Sequence, residues 1–487
     1  MNTKRYKFRV LGYLYGLLLF MPTFYSCEKW LDVRPVTEVP EDLLFQNERG
    51  FFENLAGMYH EMTEQSLYGT ELSMGLLDYL AQHYVGWGSN QRYLDVVGFS
   101  RQLDYESTGA RDRFINPIWN DMYRIIGNSN NLLNKLEGRE QLFAENNYNL
   151  VRGQALALRA FLHFDLLRLY APAKALAGDQ RYIPYVKTYG PETTERSTFA
   201  ETIGQCLSDL NEAQALLGED RRIFTTNNPS AFLAHTQNKM NYYAVLGLKA
   251  RIFLYNEQLD SANHYAQRVI NNSSANLRLA RSADVAAGDK IFYTEQLFAL
   301  SVVRMPQIFE SLFLPPNGNS QSLLLVSNTI GQNVYETITA DFRNSTNYFT
   351  RQNVGSTMQI VKYQWRDNIN PNLSYIRNVL PLIRLSEMYY IAAETSPNTQ
   401  LGERYLNQIR AARGIVGPGR ELSGLTPEQL NEEIRKEYRK EFFGEGQLFF
   451  YYKRLRLPGI PMTDNSMMLT PSSFYTFPVP IEELPLR

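Results

Sequence analysis

Cysteine is nearly missing. The 487 residues contain two, Cys27 and Cys206, too few for a disulfide framework. An excess of either charge is missing too. Lys and Arg number 49 against 50 Asp and Glu, and a formal net charge of −1 excludes a basic nucleic-acid binder driven by counterion release. No stretch after residue 30 approaches the ~20 apolar residues of a membrane-spanning helix. Histidine is scarce, with His60, His83, His163, His235 and His264 scattered along the chain. His60-Glu61-Met62-Thr63-Glu64 begins like a zincin helix, but Glu64 stands where the second imidazole must be. That segment reads as a solvated helix face. No linear feature singles out a carboxylate pair for glycoside hydrolysis. The reading is non-enzymatic, with no cofactor and no metal.

What is abundant is apolar and aromatic. Hydrophobic residues make up 44% of the chain, ample for a buried core, and 32 Tyr and 27 Phe raise the aromatic share to 13%. Tyrosine in this quantity suggests exposed stacking surfaces as well as core. The N-terminus carries Lys4, Arg5, Lys7 and Arg9, then an apolar run from Val10 to Met21, then Cys27. A basic start, a short apolar run and a cysteine at the cleavage position make residues 1–26 a lipoprotein signal and Cys27 the lipidated residue. Multi-chain acylation anchors a body to a membrane without crossing it. Residues 27–40 read as an extended leash, because Pro35 and Pro40 push their predecessors out of helix.

Helical periodicity fills two regions. Amphipathic helices are expected near 47–66, 116–137, 148–170, 198–217, 240–256 and 259–271, and a second block from Leu382 to about Leu455. The run around Ala155–Leu167 is apolar on most faces, which predicts burial, with Pro172 ending it. Residues 276–375 are rich in Asn, Ser, Gly and Pro and read as an irregular, partly β layer. Two helix pairs share internal spacing. Ala250 and Phe253 precede Ala262, Ala266 and Val269; Ser386 and Tyr389 precede Gly402, Leu406 and Ile409, with a turn four residues longer. Small residues that let antiparallel helices approach, with aromatics filling the gap, follow tetratricopeptide logic.

These residues converge on a family. Cys27 with Trp30-Leu31-Asp32 and Pro35, then Trp119, Tyr123, Ile126 and Asn130, then Leu158-Arg159-Ala160-Phe161 with Phe164 and Tyr170, resemble successive signatures of the SusD/RagB lipoproteins of Bacteroidetes. Leu382–Glu387, Ala393-Glu394, Leu406–Arg410, then Ile434, Glu437, Glu441, Glu445-Gly446, Pro478, Pro480 and Glu483-Leu484 continue the likeness. Tyr438, Gln447 and Tyr451 depart from it, standing where the family often has Arg, Arg and Asp in a structural ion-pair lattice. The resemblance implies an all-α fold, with tetratricopeptide-like repeats (about 41–272 and 382–457) packed against an irregular half (about 276–375) in one domain, 41–487. It also implies a lipid-anchored protein at the outer-membrane cell surface. Its partners would be a SusC-like TonB-dependent transporter and an oligosaccharide. A peptide ligand, a surface glycoside hydrolase and a structural transporter lid are the alternatives.

For the site itself the residues offer aromatics. Tyr84-Val85-Gly86-Trp87-Gly88 continues to Tyr93 through Ser, Asn, Gln and Arg, and Tyr363-Gln364-Trp365-Arg366-Asp367-Asn368 repeats that composition. Sugar faces stack on flat rings while planar polar groups bind hydroxyls. Trp87 and Trp365, with Tyr84, Tyr93 and Tyr363 as weaker candidates, are the candidate exposed platforms, core packing being the alternative for each Trp, whereas Trp119 on a regular helix is a core candidate. His163 reads as a satisfied core histidine and Cys206 as a small buried hydrophobe. Gly414–Arg420 reads as a helix C-cap and turn. Glu437, Glu441 and Glu445, at helical spacing among Arg435, Arg439 and Lys440, read as a solvated or intrachain ion-pair face.

Overall fold

The computed structural model describes residues 44–218, 235–272, 276–314, 320–351, 356–365, 371–462 and 464–483. The expected signal segment, Cys27 and the leash to residue 40 lie outside the described residues, as do Arg366, Asp367 and Asn368. Residues 48–487 form one compact unit; of the other, 1–47, only 44–47 are described.

Helix dominates, at about 52% of the described residues. The first half carries α1 (Glu48–Glu61), the one-turn α2 (Leu76–Leu80), α3 (Asn116–Leu136), α4 (Asn147–Tyr170), α5 (Phe199–Leu217), α6 (Tyr242–Tyr255) and α7 (Leu259–Ile270). Then come α8 (Met305–Phe313), α9 (Leu385–Glu394), α10 (Thr399–Ala412), α11 (Pro427–Glu441) and α12 (Gln447–Leu455). Local chemistry sets many of these ends. Pro117 lies where a π-helical turn, Arg111–Ile115, passes into α3, a shift in the hydrogen-bond ladder that accommodates its missing N–H. Thr198 and Glu201 form a reciprocal capping box on α5, and Thr426 and Gln429 form another on α11. Nearly every residue of α4 from Gly153 to Tyr170 is buried, because α3 and α5 both pack on it.

The two spaced helix pairs are α6–α7 and α9–α10. In the first, Phe253 stacks on Tyr265 with centroids 5.4 Å apart; in the second, Tyr389 meets Tyr405 edge-on at 6.2 Å. A methyl added at Gly402 would lie 2.5 Å from Leu430 Cδ2 and 2.9 Å from the Ala393 carbonyl, so only glycine lets α9, α10 and α11 approach this closely. Ala250, Ala262 and Ala266 are fully buried at the corresponding contact.

The strands are short. β1 (Arg181–Pro184) pairs with β2 (Arg196–Thr198), β3 (Gln296–Ser301) with β7 (Val379–Arg384), and β4 (Leu325–Ser327) and β5 (Phe349–Arg351) flank β6 (Thr357–Ile360). A hairpin of β8 (Gly459–Pro461) and β9 (Met467–Leu469) follows α12. Two expectations need correction. Leu382, Ile383 and Arg384 are strand, not helix: β7 is buried along its whole length and pairs with β3, Gln296 opposite Arg384 and Phe298 opposite Ile383. The first helix ends at Glu61 rather than near 66, and turns occupy residues 62–75.

The ion-pair face is neither solvated nor small. The Glu441 carboxylate meets three guanidiniums: Arg384 at 2.6 Å, Arg413 at 2.5 Å and Arg343 at 2.7 Å. Arg413 and Arg384 also reach Glu295 at 2.7 and 3.2 Å, Glu437 holds Arg343 at 2.8 Å, and Glu445 holds Arg384 at 2.9 Å. All of these side chains are buried. Burial pushes the Glu441 carboxyl upward, but Arg413, Arg384 and Arg343 together hold it well below the usual carboxylate range. At two of the departures from the family pattern, Tyr438 and Tyr451, the rings stack face to face, 4.1 Å apart and 13° from parallel. At the third, Gln447 accepts from Arg168 at 3.3 Å.

Candidate functional site

The segment from Tyr84 to Tyr93 is an aromatic layer closed from both sides. Tyr79 of α2 stacks on Trp87 at 5.3 Å and on Tyr93 at 4.6 Å. The Trp87 indole donates to the Arg101 carbonyl at 3.4 Å and is 7% exposed. Gly88 has φ +73°, and a methyl there would meet Gly98 O at 2.9 Å and Arg101 Cγ at 2.8 Å, so the 98–101 turn lies directly over it. On the other side the Val85 N–H donates to Leu325 O of β4, and Asn90 Nδ2 to Leu323 O, each at 2.8 Å.

Four of the five sequence-selected rings are therefore not exposed platforms. Trp87, Tyr84, Tyr93 and Tyr363 are buried. The tyrosine hydroxyls are satisfied inside: Tyr84 donates to Met74 O at 2.7 Å, Tyr93 to Glu71 Oε2 at 3.0 Å and Tyr363 to Gly444 O at 2.9 Å. Burial raises all three phenols well above their ordinary value. The physical reason is distant chain. The glycines do not leave Trp87 in solvent: Gly88 lets the 98–101 turn come close, and Tyr79 and Phe474 pack on the ring.

Trp365 differs. It is half-buried, at a shallow depression of about 20 Å³ lined also by Lys290, Gln364 and Arg377. Lys290 Nζ donates to Val361 O at 3.2 Å and Gln364 O at 3.3 Å, which fixes the turn presenting the indole. Nearby in sequence to that lining, Tyr375 is 38% exposed and packs against His235 and Tyr293 with centroids at 5.5 and 5.1 Å. Phe99, on the turn that roofs Trp87, is 80% exposed. The residues alone did not select Tyr375 or Phe99. The signal for Phe99 was present, an aromatic between Gly98 and Ser100 with Arg101 and Gln102 following.

The bland readings are settled by contacts. Trp119 is buried, and Cys206 is fully buried with its thiol pushed up by burial. Gly414, φ +91°, follows α10, and Ile415 N–H returns to Arg410 O at 2.9 Å, a helix end rather than a phosphate cradle. His60 is exposed on α1. Among the described residues no helix is long and apolar enough to cross a membrane, and no group of three His, Cys, Asp or Glu could hold a metal ion.

This arrangement, helical pairs of tetratricopeptide type under a layer of short strands and loops, recurs in solved proteins. A SusD-like carbohydrate binding protein from Bacteroides vulgatus superposes with a TM-score of 0.67 at 20% identity, covering 90% of this chain and 96% of that one. A SusD superfamily protein from Bacteroides fragilis gives 0.68 at 20%, covering 90% and 98%, and surface glycan-binding protein A from Bacteroides uniformis 0.62 at 17%, covering 84% and 88%. Those likenesses define the fold class, an all-α SusD-type body. In sequence, residues 29–239 match a family described as starch-binding associating with outer membrane, and residues 312–479 match the SusD family. A SusD-like protein of Formosa agariphila is 19% identical, covering 89% of this chain and 87% of that protein. The chain belongs to the SusD/RagB family.

Proposed function

We propose that this protein is a non-enzymatic nutrient-binding lipoprotein of the outer-membrane surface, anchored through Cys27. It captures oligosaccharide and delivers it to a SusC-like TonB-dependent transporter. Family membership supports the class of ligand, since the matched N-terminal family is described by starch binding and outer-membrane association. The observation that carries the site is the half-buried Trp365 indole, held by the Lys290 clasp beside Gln364 and Arg377. Trp87, Tyr84, Tyr93 and Tyr363 are buried and form no part of the proposed contact surface.

Calorimetric titration with neutral hexasaccharides and with unrelated hexapeptides tests the reading, with the mixtures analysed afterwards for cleavage products. Saccharide heat without products is expected. Peptide heat alone would establish the peptide alternative, and products would establish an enzyme. For the anchor, labelled palmitate is expected to enter the wild-type chain, and Cys27→Ala to leave the membrane fraction.

A further inference from the structure

Away from Trp365, a cleft of about 830 Å³ opens between α3, the end of β1 and the segment leading to β2. Sites for small molecules commonly span ~300–1,000 Å³. One wall of this cleft, residues 184–188, is fixed from within. Asn130 is 2% exposed and donates Nδ2 to the carbonyls of Val186 at 3.0 Å and Thr188 at 3.3 Å. Its Oδ1 accepts from Arg159 Nη1 at 2.9 Å, Arg159 pairs with Asp209 at 2.7 Å, and Asp209 also accepts from the Tyr185 hydroxyl at 2.7 Å.

His163 completes the support. Its Nδ1 donates to the Arg159 carbonyl at 2.8 Å, its Nε2 accepts the Val186 N–H at 3.0 Å, and its ring stacks on Tyr185 at 3.9 Å. Burial lowers its pKa to about 3, so the ring stays a neutral acceptor. Polar groups buried this deeply are costly unless satisfied. Here they hold one surface wall in a single conformation, which removes ordering cost from any ligand that uses it.

The rim over that wall is open. Tyr189 is 53% exposed, and Glu192, Thr193 and Thr194 beside it are exposed as well. Asn120 and Glu483 line the cleft too. The lining guanidinium, Arg124, is already engaged by Glu61 and Asp121, each at 3.2 Å. A free flat ring, an amide, hydroxyls and two carboxylate acceptors match the C–H face and the hydroxyl edge of a sugar. The unengaged charge is negative, which disfavours uronic or sulfated units.

We infer that this cleft is a second saccharide-binding site, which lays a neutral glycan across the exposed Tyr189 ring with Glu192 and Asn120 on its hydroxyls. The inference shares the ligand class of the reading above but not its site.

The test titrates maltohexaose, xylohexaose and laminarihexaose, with hexagalacturonate as the anionic probe, into the full chain, Trp365→Ala, Tyr189→Ala/Glu192→Gln and the combined variant. Trp365→Ala is expected to retain binding of a neutral probe, and adding Tyr189→Ala/Glu192→Gln to weaken that remainder about tenfold or more, as losing an aromatic anchor does. Melting temperatures should not move, since both residues are exposed. Loss with the Tyr189 pair but none with Trp365→Ala would keep this site and end the Trp365 reading. The inference is overturned if the Tyr189 pair changes no affinity, if the cleft prefers hexagalacturonate, or if no neutral probe binds at all.

Discussion

Two buried polar networks lie in this fold, and they do different things. Around Glu441 the partners are almost all charged, and they come from the turn before β3, the 341–343 turn, β7, the C-terminal cap of α10 and α11 itself. Around Arg159 a single ion pair is surrounded by neutral groups, Asn130, His163 and Tyr185, and the bonds end on the backbone of one surface wall. The first network joins core elements to one another. The second is oriented outward, toward residues 185–188. A charge-dense network in a core is intolerant of losing any member. A mixed network ending on a loop should tolerate more, and its failure should show first as a loosened surface.

The largest effect should come from Glu441→Ala. It leaves Arg343, Arg384 and Arg413 buried without their shared acid, and breaking a buried pair costs ~3–5 kcal/mol. Urea unfolding should show that loss, or no folded protein; a midpoint near wild type would contradict the account of the core. Asp209→Asn keeps the shape but weakens the hold on Arg159, at ~1–3 kcal/mol. Hydrogen exchange should then rise at Val186, whose N–H is bonded to His163, before it rises in α11. Tyr451→Leu keeps apolar burial and removes the stack on Tyr438, so about 1 kcal/mol is expected. Tyr189→Ala should change stability by less than ~0.5 kcal/mol, as exposed substitutions do.

Acid should distinguish the networks further. Glu437 is held at about 2 despite burial by Lys440 and Arg343, below its ordinary 4.5. A lowered acid contributes stability that is present above pH 4.5 and lost as pH falls toward 2. His163 is lowered by burial from 6.5 to about 3, so its contribution is present above pH 6.5 and lost as pH falls from there toward 3. The outward network should therefore weaken first on acidification. Asp289 works in the opposite sense. Burial raises it from 3.8 to about 7, so its contribution is present below pH 3.8 and lost as pH rises through 7. It is the neighbour of Lys290, which clasps the Trp365 turn, so Asp289→Asn should flatten the stability profile between pH 4 and 7. An unchanged slope would remove Asp289 from that role.

The helices were legible because their signals are local. Thr198, Thr426 and Pro172 lie within a few residues of the ends they define, and α3, α4, α5, α6 and α7 begin and end within two residues of expectation. What was not legible depends on distant chain. Arg343 is 98 positions from Glu441, so helical spacing alone suggested a face that solvent could reach. Trp87 looked open because its neighbours in sequence are glycines, yet Tyr79, Phe474 and the Arg101 turn cover it. The second cleft was invisible for the same reason: Asn120, Tyr189 and Glu483 come from three separate parts of the chain. Trp365 is half-buried, between the exposed platform and the core ring that its composition left open.

The central claim is that Trp365 touches ligand while the buried Trp87 does not, and one paired measurement tests it. Trp87→Ala and Trp365→Ala are each melted and then titrated with the best-binding neutral hexasaccharide. Trp365→Ala should weaken binding about 10- to 30-fold, as a lost stacking ring worth ~1.5–2 kcal/mol would, with the melt unchanged. Trp87→Ala should lose ~3–5 kcal/mol of stability as a large core truncation does, yet bind normally while folded. The opposite pattern, a stable Trp87→Ala that binds weakly beside a Trp365→Ala that binds like wild type, would contradict the account.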